Sequence, residues 1–178
     1  MGCLLLAEPF SDDYNFRRSV VLLCEHDKEG TFGLILNKVL QLSLSDALPE
    51  LEAADIPLYY GGPVQTDTLH YLHTFGDVLE GSVEVNAGLF WGGDFEKMKF
   101  LINTKQANSG NVRFFLGYSG WTFGQLEEEI RQNSWILTSN DKEFVFDEDS
   151  DRLWRTVLHR MGGDYRLMSN FPDDPQLN

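Results

Sequence analysis

The sequence predicts an α+β fold, on the basis of two observations. Short apolar runs of strand length recur along the chain with hairpin-like turns between them, and segments of helical periodicity are inserted at irregular intervals. A doubly wound parallel sheet would instead show strands and helices in regular alternation. The chain has 178 residues and contains no repeat or linker-like segment. We therefore expect one domain over residues 1–178, large enough to bury its core without disulfides.

The predicted strands follow from the apolar runs in chain order. These runs lie at 3–7, 19–25, 32–36, 56–60, 69–73, 82–86, 112–116, 135–138 and 144–146. The segment Asp27-Lys28-Glu29-Gly30, between the second and third runs, predicts a hairpin because Gly30 can adopt a positive φ. Gly61-Gly62-Pro63 predicts a turn after the fourth run.

Helical periodicity is present in four segments. The first is a short acidic stretch at 44–52, and the third begins at 123. The second begins after Asp94 and places on one face Phe95, Met98, Leu101 and Ile102. The fourth follows Ser150 and buries Leu153, Trp154, Val157 and Leu158. It is expected to end at Gly162-Gly163, because glycine is common just after a helix C-terminus.

Residues 117–130 are the most informative segment about local structure, because their pattern predicts a strand-to-helix corner. Thr122 and Gln125 have the spacing of a capping box, which predicts that the helix begins directly after Thr122. The buried face of that helix would then contain Phe123, Leu126 and Ile130. The run 127–129 would be a solvated acidic face, and Trp121 would be mostly buried with one edge at a shallow cleft. The glycines of the corner indicate either tight packing or a site.

The formal net charge of −14 limits the classes of partner. An acidic surface repels phosphate backbones and anionic lipid heads, so we expect no direct binding to nucleic acid or to a membrane. Cys3 and Cys24 lie in apolar runs without zinc-ligand spacing and are expected to be reduced, buried thiols. The first apolar run is too short for a signal peptide, and no segment has transmembrane length. These features favour a cytoplasmic protein.

A catalytic role for the corner is the main alternative to a binding role. Ser119 lies in a Gly-x-Ser setting, but Trp121 occupies the position where a nucleophile elbow needs a second glycine. Glu25 and His26 offer an acid–base pair instead. No histidine spacing nominates a partner for Ser119.

Two other residue pairs are of types that can hold a ligand, a histidine pair and an arginine pair. His70 and His73 are three residues apart on a predicted strand, so their imidazoles would face opposite sides and no metal site is expected. Arg17-Arg18 could bind a phosphate or carboxylate in forked geometry, although an acidic chain offers such a pair many salt bridges.

Six sequence blocks occur in one order along nearly the whole chain. They are Gly2-Cys3-Leu4-Leu5-Leu6-Ala7 with Pro9, Phe16-Arg17-Arg18-Ser19-Val20-Val21-Leu22-Leu23 with Glu25-His26, Gly33-Leu34-Ile35-Leu36-Asn37, Gly61-Gly62-Pro63-Val64, Gly117-Tyr118-Ser119-Gly120-Trp121 with Gly124-Gln125-Leu126-Glu127, and Asp174-Pro175-Gln176-Leu177-Asn178. In these blocks the chain resembles the AlgH/YqgE family of bacterial proteins. It departs at Thr31 and Val39, where the family usually has alanine and proline.

The resemblance implies a fold and leaves the activity open. The family fold is α+β, with a split, largely antiparallel or mixed, partly barrel-like sheet flanked by about four helices. The family has no established activity, cofactor or catalytic residues, so none is implied here. A link to transcriptional regulation lends the family its name, but this chain lacks a basic recognition helix for direct contact with DNA.

We therefore expect a cytoplasmic, non-enzymatic ligand- or protein-binding module that could act in regulation, without a cofactor and with an unidentified protein or small-molecule partner. The expected site gathers from the corner Tyr118, Trp121 and Gln125. If the first hairpin packs nearby, it also includes Arg18, Glu25, His26 and Asn37. A hydrolase that uses Ser119 or the Glu25/His26 pair is the alternative, and a purely structural role for these residues is a third.

Overall fold

The computed structural model describes residues 2–51, 55–139 and 142–172. Within these ranges the strands are β1 (Cys3–Ala7), β2 (Val20–His26), β3 (Gly30–Ile35), β4 (Val39–Ser43), β5 (Pro57–Tyr60), β6 (Val64–His73), β7 (Val83–Asn86), β8 (Leu89–Trp91), β9 (Val112–Thr122) and β10 (Trp135–Ser139). The helices are α1 (Leu44–Ala47), α2 (Phe95–Asn103), α3 (Gln125–Arg131), α4 (Ser150–Met161) and α5 (Gly163–Met168), with a 3₁₀ turn at Lys142–Phe144.

The strands form one open, mixed sheet, which confirms the predicted α+β class. The main path runs β10-β1-β2-β3-β9-β6-β8-β7, and β4 and β5 attach to it through β9. All described strand pairs are antiparallel except β5 with β9, which are parallel. The path ends at β10 and β7 without closing, so the sheet is open and not a closed barrel.

Both faces of the central strands are buried, which explains why their sequences read as continuous apolar runs. Leu4 and Leu6 pack into one cluster with the apolar side of α4, whereas Leu5 between them packs into another with Trp121. A separate cluster joins α2 to β5 and the first half of β9. The predicted buried face of α4 is confirmed, and the helix ends at Met161 before Gly162, whose φ is 73°.

Strand β9 brings these parts together, because it exchanges partners along its length. Its first half lies between β5 and β6, with Leu58 opposite Phe114. Its second half pairs with β3, with Gly33 opposite Ser119. The 112–116 run is therefore only the first part of this strand, since glycines interrupt the apolar pattern that follows it.

Close backbone packing explains the glycines where β9 exchanges partners. A Cβ atom on Gly61 would lie 2.2 Å from the carbonyl oxygen of Gly117, and one on Gly117 would lie 2.6 Å from that of Gly62. Gly117 also has a φ of 68°, a backbone conformation that residues with a Cβ atom rarely adopt. Tight packing, one of the two interpretations of the corner glycines, is therefore present at Gly117. We call Gly61, Gly62 and Gly117 the glycine junction.

Several sequence-based boundaries are wrong. The run at 144–146 is not a strand: Phe144 ends a 3₁₀ turn and is buried with Val145, so burial without pairing produces the same apolar pattern. The helix expected at 44–52 is only Leu44–Ala47, and its last predicted residue lies outside the described residues. Strands β4 and β8 and helix α5 were not predicted, because they are short and lack a clear period.

The two cysteines are free thiols. Cys24 is fully buried, and burial together with the charge of Glu25 raises the pKa of its thiol. Cys3 is only partly buried, which differs from the expectation of two buried thiols. Among the described residues, no helix is long and apolar enough to span a bilayer.

Candidate functional site

A cleft of about 490 Å³ lies between the β2–β3 hairpin, the beginning of β6 and the end of β9. We call it the hairpin cleft. Its described lining residues are Glu25, Asp27, Glu29, Gly30, Thr31, Phe32, Val64, Tyr118, Gly120, Trp121, Thr122 and Gln125. Four residues of the expected site are among them: Glu25, Tyr118, Trp121 and Gln125.

The hairpin holds its acidic side chains at the rim of this cleft. The Asp27 carboxylate accepts hydrogen bonds from the backbone N–H groups of Glu29 at 2.7 Å and Gly30 at 3.2 Å, which closes the turn as predicted. Gly30 pairs with Thr122 of β9, and a Cβ atom at Gly30 would lie 2.4 Å from the carbonyl oxygen of Trp121. Glycine therefore lets the hairpin approach the corner closely.

Aromatic rings form the inner wall of the cleft. The ring of Phe32 lies 5.1 Å from that of Tyr118 and 4.8 Å from that of Trp91, between ring centroids. His70 lies 5.3 Å from Phe32, and desolvation lowers the pKa of its imidazole. Trp91 and His70 do not line the cleft themselves but pack against Phe32, so the wall consists of the Phe32 and Tyr118 rings and presents apolar faces beside the acidic rim.

Trp121 is 5% exposed and reaches the cleft with one edge, and its indole is held by Glu129. The indole N–H donates to Glu129 Oε2 at 2.8 Å, and the indole N–H of Trp135 donates to the same oxygen at 2.8 Å. The Gln125 amide donates to Glu129 Oε1 at 2.9 Å. The expectation of a solvated acidic face at 127–129 is therefore wrong at Glu129, whose role no spacing rule reveals.

The capping box is only half formed. Gln125 Oε1 accepts the backbone N–H of Thr122 at 3.0 Å, which is the reciprocal half of the motif. The Thr122 hydroxyl donates to the same side-chain oxygen at 3.2 Å instead of capping the helix. Helix α3 begins at Gln125 after Gly124, whose φ is 79°, and not directly after Thr122. Phe123 therefore lies outside the helix and is 73% exposed, not part of a buried face.

His26 lies near the cleft but does not pair with Glu25. Its Nδ1 is 2.7 Å from the Thr31 hydroxyl, and its Nε2 is 3.6 Å from Glu127 Oε1. Adjacent residues on a strand face opposite sides, so Glu25 lines the cleft while His26 points toward α3. The geometry therefore does not support a Glu25/His26 acid–base pair.

Ser119 is fully buried within β9. Its hydroxyl donates to the carbonyl oxygen of Gly61 at 3.0 Å, so the side chain packs against the glycine junction. A nucleophile needs access to its substrate and a base within hydrogen-bond reach. The position of Ser119 provides no such access.

Arg18 and Asn37 lie apart from the hairpin cleft and hold the chain in place. Asn37 accepts the Val20 N–H at 2.8 Å and donates to the Arg18 carbonyl at 2.9 Å. The Arg18 guanidinium donates to the carbonyl oxygens of Phe171 at 2.8 Å and Pro172 at 2.6 Å. The structure therefore does not gather all seven expected residues at one site.

His70 and His73 contact different aromatic groups, as their spacing on β6 requires. His73 is fully buried, lies 2.7 Å from the Gly92 carbonyl oxygen and accepts the Phe75 N–H at 3.0 Å. Burial lowers the pKa of its imidazole. Within the described ranges no three metal-ligating side chains are grouped for an ion.

The fold and the cleft define an α+β protein with an open mixed sheet, in which a hairpin and a strand-to-helix corner enclose a surface cleft. The chain belongs to the AlgH-like family, whose sequence model matches residues 4–166. The resemblance drawn from the sequence blocks is confirmed, although the terminal block lies outside the described residues.

Relatives and solved structures agree with this assignment. A UPF0301 protein of Chlorobaculum tepidum is 47% identical over 177 residues, covering 99% of this chain and 95% of that protein. One of Bacteroides fragilis is 44% identical over 178 residues, covering 99% and 90%. The solution structure of the AlgH protein from Pseudomonas aeruginosa matches with a TM-score of 0.75 at 29% identity, over 96% of this chain and 93% of that chain. The crystal structure of a Corynebacterium diphtheriae protein matches with a TM-score of 0.78 at 25% identity, over 96% and 91%.

Proposed function

We propose that this chain is a non-enzymatic binding module of the cytoplasm with a regulatory role, and that the hairpin cleft is its ligand site. The observation that carries the proposal is the convergence of Glu25, Tyr118 and Gln125 at one cleft between separate elements. Concave sites with aromatic walls and a few oriented polar groups are typical of ligand pockets. A protein or small-molecule partner that binds here would act without direct contact between this chain and DNA.

The cleft favours a ligand that carries a positive charge on an apolar or planar group. Glu25, Asp27 and Glu29 place three carboxylates at the rim, and none of the described lining residues is basic. The faces of Phe32 and Tyr118 offer both apolar contact and attraction for a cation. An alkyl amine that carries an aromatic ring, or a basic side chain of a partner protein, has this chemistry.

The same geometry favours binding over hydrolysis. Ser119 is enclosed and hydrogen-bonded to Gly61. His26 is hydrogen-bonded to Thr31 and does not face the cleft. An enzyme of the expected type needs a nucleophile and a base that converge on the substrate. The side chains that do converge in the cleft are carboxylates, an amide, aromatic rings, two threonines and a valine.

Two probes of opposite charge test this proposal on the full chain. We expect 2-phenylethylamine to shift the backbone NMR signals of Gly30, Tyr118 and Gly120 in a saturable way, and 3-phenylpropionate to leave them unchanged. The double variant Glu25→Gln/Glu29→Gln should weaken amine binding about tenfold, because both charges next to the cation are lost. Equal shifts from both probes, or none from the amine, would overturn the proposal.

Asp77→Asn/Glu80→Gln is the matched control. Asp77 and Glu80 are exposed carboxylates that do not line the hairpin cleft, so neutralising both changes the net charge of the chain by the same amount without changing the site. Amine binding by this variant should equal that of the wild type. If it weakens binding as much as the first double variant, the attraction comes from the net charge and not from the cleft.

A further inference from the structure

A second pocket, of about 650 Å³, lies where the 10–18 loop meets the beginning of β4. We infer that it binds a small anion that carries an apolar or planar group, such as an aromatic carboxylate. The lining residues on which this inference depends are Tyr14, Arg17, Arg18, Lys38, Val39 and Tyr60. We call it the β4 pocket; it shares no described lining residue with the hairpin cleft and is independent of the function proposed there.

The charge of the β4 pocket is opposite to that of the molecule. The chain has 14 lysines and arginines against 28 acidic residues, yet Arg17, Arg18 and Lys38 all line this one pocket. None of its described lining residues is acidic. Asp13 is near enough to Lys38 to affect its pKa but does not line the pocket. A locally positive concave surface on an acidic protein concentrates anions at that point.

Lys38 is held in position to receive an anion. Its ammonium donates to the carbonyl oxygens of Asn15 at 2.7 Å and Tyr14 at 3.3 Å, which use two of its three N–H donors. Burial lowers the pKa of Lys38 more than the charge of Asp13 raises it. A partly desolvated ammonium gains more from an anionic ligand than one in open water, because the local dielectric is lower.

The apolar part of the ligand has matching surface. Tyr14 is 88% exposed and Val39 is 51% exposed, although both are large side chains beside a pocket. The ring of Tyr60 is fixed by a hydrogen bond from its hydroxyl to Asn15 Oδ1 at 3.2 Å. A planar group between these side chains would remove apolar surface from water while its anionic group contacts Lys38.

Arg18 contributes charge from a fixed position. Its guanidinium donates to Phe171 and Pro172 and lies 4.8 Å from the centre of the Trp154 ring. These partners do not line the pocket, so the guanidinium is held by contacts that do not depend on a ligand. Arg18 and Lys38 are therefore both fixed by hydrogen bonds to backbone carbonyl oxygens.

The test uses three probes on the full chain, and the backbone NMR signals report their binding. We expect 1-naphthoate to shift the signals of Asn15, Lys38 and Leu40 in a saturable way. We expect 1-naphthylmethylamine, with the same ring and the opposite charge, to leave them unchanged, and acetate, with the charge and no ring, to bind about tenfold more weakly. If naphthoate does not shift these signals, or if the amine shifts them equally, the inference is wrong.

Two variants with opposite expected effects separate binding from folding. Lys38→Met keeps the apolar stem and should weaken naphthoate binding about tenfold, because a charge-assisted hydrogen bond is lost. Asp13→Asn keeps the side-chain oxygen that accepts the Asn15 N–H and should strengthen binding about threefold. A folding defect cannot strengthen binding, so failure of Asp13→Asn to do so would contradict the inference.

Lys97→Met is the matched control, since Lys97 is an exposed lysine on α2 that does not line the pocket. It should bind naphthoate as the wild type does. Weakening equal to that of Lys38→Met would show that the net charge, and not the β4 pocket, attracts the anion.

Discussion

At the scale of single residues, the carboxylate of Glu129 organises the corner between β9 and α3. It accepts the indole N–H groups of Trp121 and Trp135, which are 5% and 7% exposed, and the amide of Gln125. Buried N–H donors that lose their acceptor cost far more than an exposed bond. The acceptor lies eight residues after one tryptophan and six before the other, so no local periodicity predicts the arrangement.

Glu129→Ala should therefore reduce the free energy of unfolding by about 3 kcal/mol, because two buried indole N–H groups lose their acceptor. Urea denaturation measures this loss. Glu128→Ala is the matched control: its exposed ion pair with Arg131 should contribute less than about 1 kcal/mol. Equal losses in the two variants would contradict the role assigned to Glu129.

The buried His73 and the partly buried His70 predict a loss of stability in mild acid. Burial lowers the pKa of His70 and His73 below the ordinary value of 6.5, so the unfolded chain takes up protons more readily than the folded one. For His73, protonation would also destroy the acceptor for the Phe75 N–H. The stability that the neutral imidazoles contribute is complete above pH 6.5 and decreases as the pH falls through their folded values.

Unfolding free energies at about pH 7.5 and about pH 5.5 test this expectation. The wild type should lose stability between the two conditions, and His73→Gln, which cannot titrate there, should lose less. His159→Gln removes an exposed histidine and serves as the control. If His73→Gln loses as much unfolding free energy between the two pH values as the wild type does, His73 does not contribute to the pH dependence of stability.

At the scale of elements, glycine is needed for two different physical reasons. Gly61 lies against the backbone of β9, where even one methyl group would collide with the Gly117 carbonyl oxygen. Gly124, before α3, has open space around it but a φ of 79°. Packing therefore requires glycine at the first position, and backbone conformation requires it at the second.

The two positions should respond differently to alanine. Gly61→Ala should cost about 3 kcal/mol of unfolding free energy, because fixed backbone atoms must move apart. Gly124→Ala should cost about 1 kcal/mol, the penalty of a left-handed conformation for a residue with a Cβ atom. Urea denaturation of both variants measures the difference, and a similar cost at the two positions would contradict this distinction.

At the scale of the whole molecule, charge is distributed unevenly over an acidic protein. Carboxylates of the β2–β3 hairpin line the hairpin cleft, whereas lysine and arginine line the β4 pocket. The total of −14 still decides how the chain meets a long polyanion, since a duplex contacts a surface much larger than one pocket. A small anion can enter the positive pocket although a nucleic acid is repelled.

We therefore predict no measurable binding to duplex DNA at physiological salt. Fluorescence anisotropy of a labelled duplex, titrated with the purified protein, measures this directly. Repulsion between the acidic surface and the phosphates should keep the signal flat, and lower salt should not produce sequence-independent binding. Micromolar binding that weakens as salt rises would overturn the prediction.

The sequence by itself determined the α+β class, the family, and most strands and long helices. Continuous apolar runs identify the buried strands near the N-terminus, and the 3.6-residue period identifies α2 and α4, because both patterns are local consequences of burial. Local signals also placed the hairpin turn at Gly30. The single-domain expectation stays a prediction.

Only the tertiary structure decided which residues meet. It separated Arg18 and Asn37 from the hairpin cleft and enclosed Ser119 behind the glycine junction. It also brought Glu129 to two tryptophans and delayed the start of α3 to Gln125. These outcomes depend on contacts between residues far apart in the chain, made where β9 exchanges partners, and neither periodicity nor motif spacing contains that information.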